Sequence, residues 1–144
     1  MAVGAGGATI DAGNAIAIDS DTGVSYVTGR FQGSASFGPT SLFSIGSDDA
    51  FVGAVSGNGT WLWAVQAGGL SSDGGSAIAV DTFGTSYVTG YFRDAATFGS
   101  TMLTALGTAG ASEVFVGAVG SDGSWQWAVQ AGGASDDRGN GIAV

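Results

Sequence analysis

Carboxylates carry almost all the acid–base chemistry this sequence offers: twelve Asp and Glu stand against three Arg, with no Lys, no His and no Cys. Two adjacent pairs, Asp48 with Asp49 and Asp136 with Asp137, are the obvious candidates for a general acid and base. A glycosidase pair must face itself across about 5 to 9.5 Å, whereas neighbours on a strand point to opposite faces. Surface solvation is therefore the expected role of both pairs. Ser is abundant, but no His or Lys is present to activate it. The sequence assigns no catalytic residue and no cofactor, and a hydrolase ranks behind every other reading.

The loop Asp19, Ser20, Asp21, Thr22, Gly23 has the D-x-D-x-G form of a calcium turn, in which hard oxygen ligands two residues apart can meet one cation. Against this, Gly23 occupies the third ligand position of the EF-hand pattern and Arg30 its twelfth. Asp and Gly are also what a tight turn requires. The turn reading is preferred, and no metal is assigned. Asp11, Asp73 and Asp137 fall at one position of three similar segments. They could form a cation-gathering ring, or cap loops by accepting hydrogen bonds from backbone amides; the capping role is preferred. The pairs Trp61 with Trp63 and Trp125 with Trp127 offer flat faces on which sugars stack. Mid-strand packing explains them without a ligand, and the same holds for Tyr26 and Tyr87 with Thr28 and Thr89.

Those residues recur because the chain is a repeat. WLWAVQAGGLSSDGGSAIAVD (61 to 81) returns as WQWAVQAGGASDDRGNGIAV (125 to 144), with a shorter echo in AVGAGGATIDAGNAIAID (2 to 19). Each unit carries four short runs: NAIAID and SAIAVD, SYVTGRF and SYVTGYF, AFVGAV and VFVGAV, TWLWAVQ and SWQWAVQ. They are rich in Val, Ile, Tyr, Phe and Trp and are punctuated by turns such as SGNG (56 to 59) and GSDG (120 to 123), the signature of antiparallel hairpins. The 28 glycines leave no stretch with helical periodicity.

The expected fold is all-β, made of four-stranded antiparallel meanders arranged as β-propeller blades. Residues 1–13 give a partial outer strand and crossover, 14–75 the first blade, 76–139 the second, and 140–144 the inner strand of a third. SASFGPTSLFSIG (34 to 46) and ATFGSTMLTALG (96 to 107) could each hold one further strand or bulge, but they read as ordered loops, because Leu42 and Ile45 break strict alternation. Residues 67 to 76 read as the crossover between blades. Trp61 and Trp63 are expected on one face of their strand, with Leu62 and Ala64 on the other. Ala15 and Ala17 suit a crowded centre. Met1 aligns with Trp63 and Trp127.

The series AIAVD, YVTGYF, FG, FVGAV, W-x-WAVQAGG and AIAVD resembles the SBBP-type bacterial β-propeller repeats over essentially the whole chain. The resemblance implies a propeller of an extracellular or cell-envelope protein, and it brings no catalytic residues. Members of that family string together enough units to close a ring, whereas here two units are followed by an overlapping end. Natural propellers close with roughly four to eight blades. Two blades would leave apolar faces bare, so further blades are expected, as the rest of a longer array, a homo-oligomer or an open filament.

A net charge of −9 repels nucleic acid and anionic membrane surfaces. No apolar run approaches the roughly 20 residues of a membrane span, and MAVGAGGATI lacks the regions of a signal peptide; the chain reads as soluble. The expected function is a non-enzymatic structural or interaction module, with a carbohydrate-binding lectin as the alternative.

Overall fold

Turn chemistry sets the pairing. Gly59 N donates to Ser56 O at 2.8 Å and Gly123 N to Gly120 O at 2.9 Å, with both glycines at φ +82°, where a side chain is disfavoured. The chain reverses at each such turn, and consecutive strands pair antiparallel. The computed structural model describes residues 2–144; Met1, and with it the alignment to Trp63 and Trp127, lies outside the described residues.

In the first unit β2 (Asp11–Ile18) pairs with β3 (Ser25–Phe37), β3 with β4 (Thr40–Val55), and β4 with β5 (Trp61–Gly69). The second repeats the order: β6 (Gly74–Val80), β7 (Ser86–Arg93), β10 (Ser112–Val119) and β11 (Trp125–Ala131) form a four-stranded sheet. Three further short strands occur among the described residues, β1 (Ala5–Gly7), β8 (Ala95–Phe98) and β9 (Thr101–Thr104). All pairing is antiparallel, and no helix occurs among the described residues.

The segments read as loops are hairpins. Ser34 to Phe37 pairs with Thr40 to Phe43 as the outer parts of β3 and β4, and β8 pairs with β9 in the second unit. Gly38 at φ +58° and Gly99 at φ +61° make the reversals. Alternation holds within each hairpin, with Ala35, Phe37 and Leu42 buried and Ser34, Ser36 and Phe43 exposed. It breaks only beyond Phe43, where residues 44 to 47 bulge opposite Gly33 before Asp48 rejoins Gln32. The Leu42 to Ile45 spacing therefore marks the bulge and not a loop.

The crossover is also shorter than 67 to 76. Ala67 to Gly69 remains in β5 and pairs with Ala96 to Phe98 of the second unit's hairpin, so the larger sheet joins β1 to β5 to two strands, β8 and β9, from beyond the repeat boundary. Ala5 to Gly7 adds to Ala35 to Phe37 in the same way.

A bulge moves one tryptophan as well. Val55 faces Trp61 and Ala54 faces Trp63, which leaves Leu62 as the extra residue. One inserted residue flips the alternation, so Trp61 and Trp63 lie on opposite faces. Trp61 packs edge-on to Phe37 at 5.2 Å with Phe31, Phe51 and Ala64, whereas Trp63 tilts over Tyr26 at 6.0 Å. Trp125 and Trp127 repeat the split against Phe98 and Tyr87.

The two faces explain the core. Tyr26, Val52 and Ala54, with Ala15, Ala17 and Trp63, form one cluster with Ile78, Val88, Phe92 and Phe115 of the second unit. The opposite face of the first unit holds Phe31, Phe37, Leu42 and Phe51 in a cluster of its own.

Candidate functional site: the unit junction and its two unmatched faces

The junction is built from interactions that recur in register. At its edge, the indole N–H of Trp125 donates to Gln66 O at 3.0 Å and that of Trp63 to Ser121 O at 2.9 Å. Both bonds cross from one unit to the other. Trp61 makes the bond equivalent to that of Trp125, to Gly4 O at 3.2 Å. Three of the four tryptophans therefore spend their one donor on a neighbouring segment's backbone while the ring fills the interface.

The three aligned aspartates act alike. Asp11, Asp73 and Asp137 each accept the amide of the glycine four residues earlier, Gly7 at 2.7 Å, Gly69 at 2.7 Å and Gly133 at 2.8 Å. Asp73 also accepts Arg93 N at 3.0 Å, and its own amide donates to Asp48 O at 2.8 Å. These carboxylates cap the turn that leads one unit into the next. Burial pushes Asp73 up to about 6, against the pull of its two amide donors.

Asp49 and Glu113 were hidden from sequence reasoning as a pair. Both are fully buried. Asp49 accepts Ile45 N at 3.1 Å, and Glu113 accepts the amides of Leu106 and, at 2.7 Å, Gly107. Ile45 and Leu106 are equivalent positions, so the two acids hold the same bulge by the same amide. The longer acid serves the longer bulge, residues 105 to 111 in the second unit against 44 to 47 in the first. The signal was an acid two residues before Phe51 and Phe115, on the side of the strand those rings occupy. Burial raises the Asp49 carboxyl.

The expectation that Asp48 and Asp49 are surface groups is therefore corrected. They do point apart: Asp48 pairs with Arg30 at 2.9 Å and accepts Ser72 Oγ at 3.1 Å, while Asp49 turns inward. A buried acid is tolerable there because amides lose their water as well and must be paired. Asp136, exposed, accepts both the amide and the hydroxyl of Ser112 at 2.8 Å, while Asp137 holds Gly133.

In the 19 to 23 loop the Asp19 carboxylate accepts Asp21 N at 2.9 Å and Thr22 Oγ1 at 2.6 Å. The Thr22 hydroxyl holds it below the usual carboxylate range. The equivalent Asp81 accepts Phe83 N and Thr85 N, each at 2.9 Å. Both are turn caps, and no group of three His, Cys, Asp or Glu able to hold a metal occurs among the described residues. Beside this loop a cleft of about 250 Å³ opens between the units, lined in part by Asp19, Tyr26, Trp63 and Phe83.

Thr28 and Thr89 are buried and donate to Phe51 O at 2.8 Å and Phe115 O at 2.7 Å. Each lies directly under a glycine of the following inner segment, Gly75 or Gly139.

No protein-family model matches the chain, and no curated protein does either.

Function therefore has to be read from the surface the repeat creates. Ile78 is 7% exposed, buried at the junction, whereas its counterpart Ile16 is 62% exposed and Ile18 beside it 62%. At the other side, Trp127 is 40% and Val129 55% exposed, while their counterparts Trp63 and Val65 pack against the junction cluster. The first unit thus displays the face that its neighbour buries, and the second unit displays the complementary one.

Proposed function

We propose that the chain is a non-enzymatic structural and interaction module, a β-propeller repeat segment of the SBBP type whose blades associate with further blades outside the cytoplasm. The observation that supports this most is the contrast between Ile16 and Ile78: one position of the repeat is buried where a neighbouring sheet covers it and bare where none does. Burying apolar surface is worth about 25 cal/mol per Å², so each such face gains from another sheet of matching pattern. The four-stranded meanders, repeated with the same caps and the same indole bonds, support a modular array. Each of the buried and capping carboxylates has an oxygen that accepts from a backbone amide, which supports a structural role over acid–base chemistry.

The test is a series of chains in which residues 79–142 are duplicated once or twice. Each added unit converts bare faces into junctions, so the melting temperature is expected to climb along the series. A flat series removes the reading.

A carbohydrate-binding propeller is the second reading, favoured by the cleft beside Asp19, Trp63 and the exposed Phe83. Glycan-array binding together with a sugar-dependent change in tryptophan fluorescence would establish it. The structural reading expects neither.

A further inference from the structure

Three segments of this chain have one local design, and they differ only in what lies against them. Ala67 to Gly69 pairs with the hairpin strand Ala96 to Phe98, its Gly69 amide held by Asp73. Ala5 to Gly7 pairs with Ala35 to Phe37, its Gly7 amide held by Asp11. The third, residues 131 to 133, has its Gly133 amide held by Asp137, and nothing lies within 4 Å of the position a Gly133 side chain would take. At Gly69 that position is 1.8 Å from Ala95 O, and at Gly7 it is 1.8 Å from Ser34 O. Gly133 therefore has the form of a glycine pressed against a hairpin, with open space where the hairpin carbonyl belongs.

Resting on the module reading above, we infer that the occupant of this third position is a second copy of this chain, joined head to tail by strand exchange. Residues 131 to 133 of one copy replace Ala5 to Gly7 on the hairpin strand Ala35 to Phe37 of the next. The exchange brings the Trp127 and Val129 face of the first copy over Ile16 of the second, repeating the junction where Ile78 meets Trp63 and its neighbours. Residues 2–11 of the second copy and 138–144 of the first are released. The released contacts are re-made in kind: Trp61 exchanges Gly4 O for Gln130 O, the equivalent of Gln66 O. The segment that leaves is held less firmly than the one that enters at the internal junction, since Ala5 and Gly7 are exposed while Ala67 and Gly69 are buried. The second copy is favoured over an unrelated partner because the bare residues Ile16, Trp127 and Val129 have counterparts, Ile78, Trp63 and Val65, that meet in the cluster at the internal junction.

The experiment is sedimentation equilibrium of the full chain and of Gly133→Ala over a wide concentration range at moderate salt, which screens the −9 charge on each copy. The parent chain is expected to rise from 14.0 kDa to multiples of it. Gly133→Ala is expected to stay at 14.0 kDa with an unchanged melting temperature, because the added methyl meets nothing within the lone chain. Val129→Lys, on the exposed face, should weaken association in the same manner. A parent chain that remains monomeric throughout, or a Gly133→Ala chain that assembles as the parent does, overturns the inference. If the separate chains stay monomeric while the duplicated-unit series still gains stability, the second copy is ruled out as occupant and the module reading stands. If that series is flat, the module reading falls as well.

Discussion

The indole N–H of Trp125 donates to the carbonyl of Gln66 across the boundary between the two units, at 3.0 Å. Phenylalanine at 125 keeps the edge-on packing against Phe98 and removes only this donor. Trp125→Phe is expected to lower stability by about 1 kcal/mol in urea denaturation. Trp61→Phe should cost less, because its acceptor, Gly4 O, is more distant at 3.2 Å and sits on an exposed segment.

Mild acid should stabilise the fold. Asp73 titrates near 6 in the folded chain against an ordinary value of 3.8, so between those values the folded state holds a proton that the unfolded state lacks. Its contribution is complete below pH 3.8 and is lost as the pH rises through about 6. Asp49, raised by the same burial, acts in the same direction. Asp19, Asp94, Asp122 and Asp136 are lowered by hydrogen bonds, chiefly from Thr22, Ser71, Ser124 and Ser112. Their contributions are full above the ordinary range and vanish as the pH falls through their lowered values. Melting temperature is therefore expected to rise from pH 7 to about 5 and to fall below about pH 4. Asp73→Asn should flatten the rising limb, with a lower baseline, since an amide cannot accept from both Gly69 and Arg93.

Glu113 holds Leu106 and Gly107 by their amides. Glu113→Ala strands these donors and is expected to cost about 1–3 kcal/mol. Glu113→Asp should recover little, because the shorter acid has to span the longer bulge. Hydrogen exchange of the Leu106 and Gly107 amides reads the effect directly.

Gly75 carries the inner strand over Thr28, and a side-chain carbon there would lie 2.0 Å from Thr28 Oγ1. Gly75→Ala is expected to destabilise by about 1–3 kcal/mol. Thr28→Ala in the same chain should relieve part of that loss, so the two changes will not add. A double-mutant cycle in urea measures the coupling.

The repeat made the meanders legible, because turns and apolar alternation both act locally. The hairpin at Ser34 to Phe43 was not legible, since its alternation is genuine but ends in four unpaired residues, and a spacing rule sees only the interruption. The placement of Trp61 and Trp63 failed for a related reason: Leu62 is an inserted residue, visible only when β4 is laid beside β5. Capping by Asp11, Asp73 and Asp137 could be anticipated from their place in the turns. Burial of Asp49 could not, because what buries it is Gly68 of the following strand together with the bulge it holds.

The bulge opposite Gly33 and Asp94 takes up the whole difference in length between the two β3-to-β5 stretches, four residues in one unit and seven in the other, and leaves the ladders on either side in step. A foreign peptide spliced between Thr108 and Gly110, which are exposed, would hang from a site where the two units already differ in length while their ladders stay in step. Every added copy of the unit would then present that graft again at a fixed interval, making the chain a natural backbone for multivalent display.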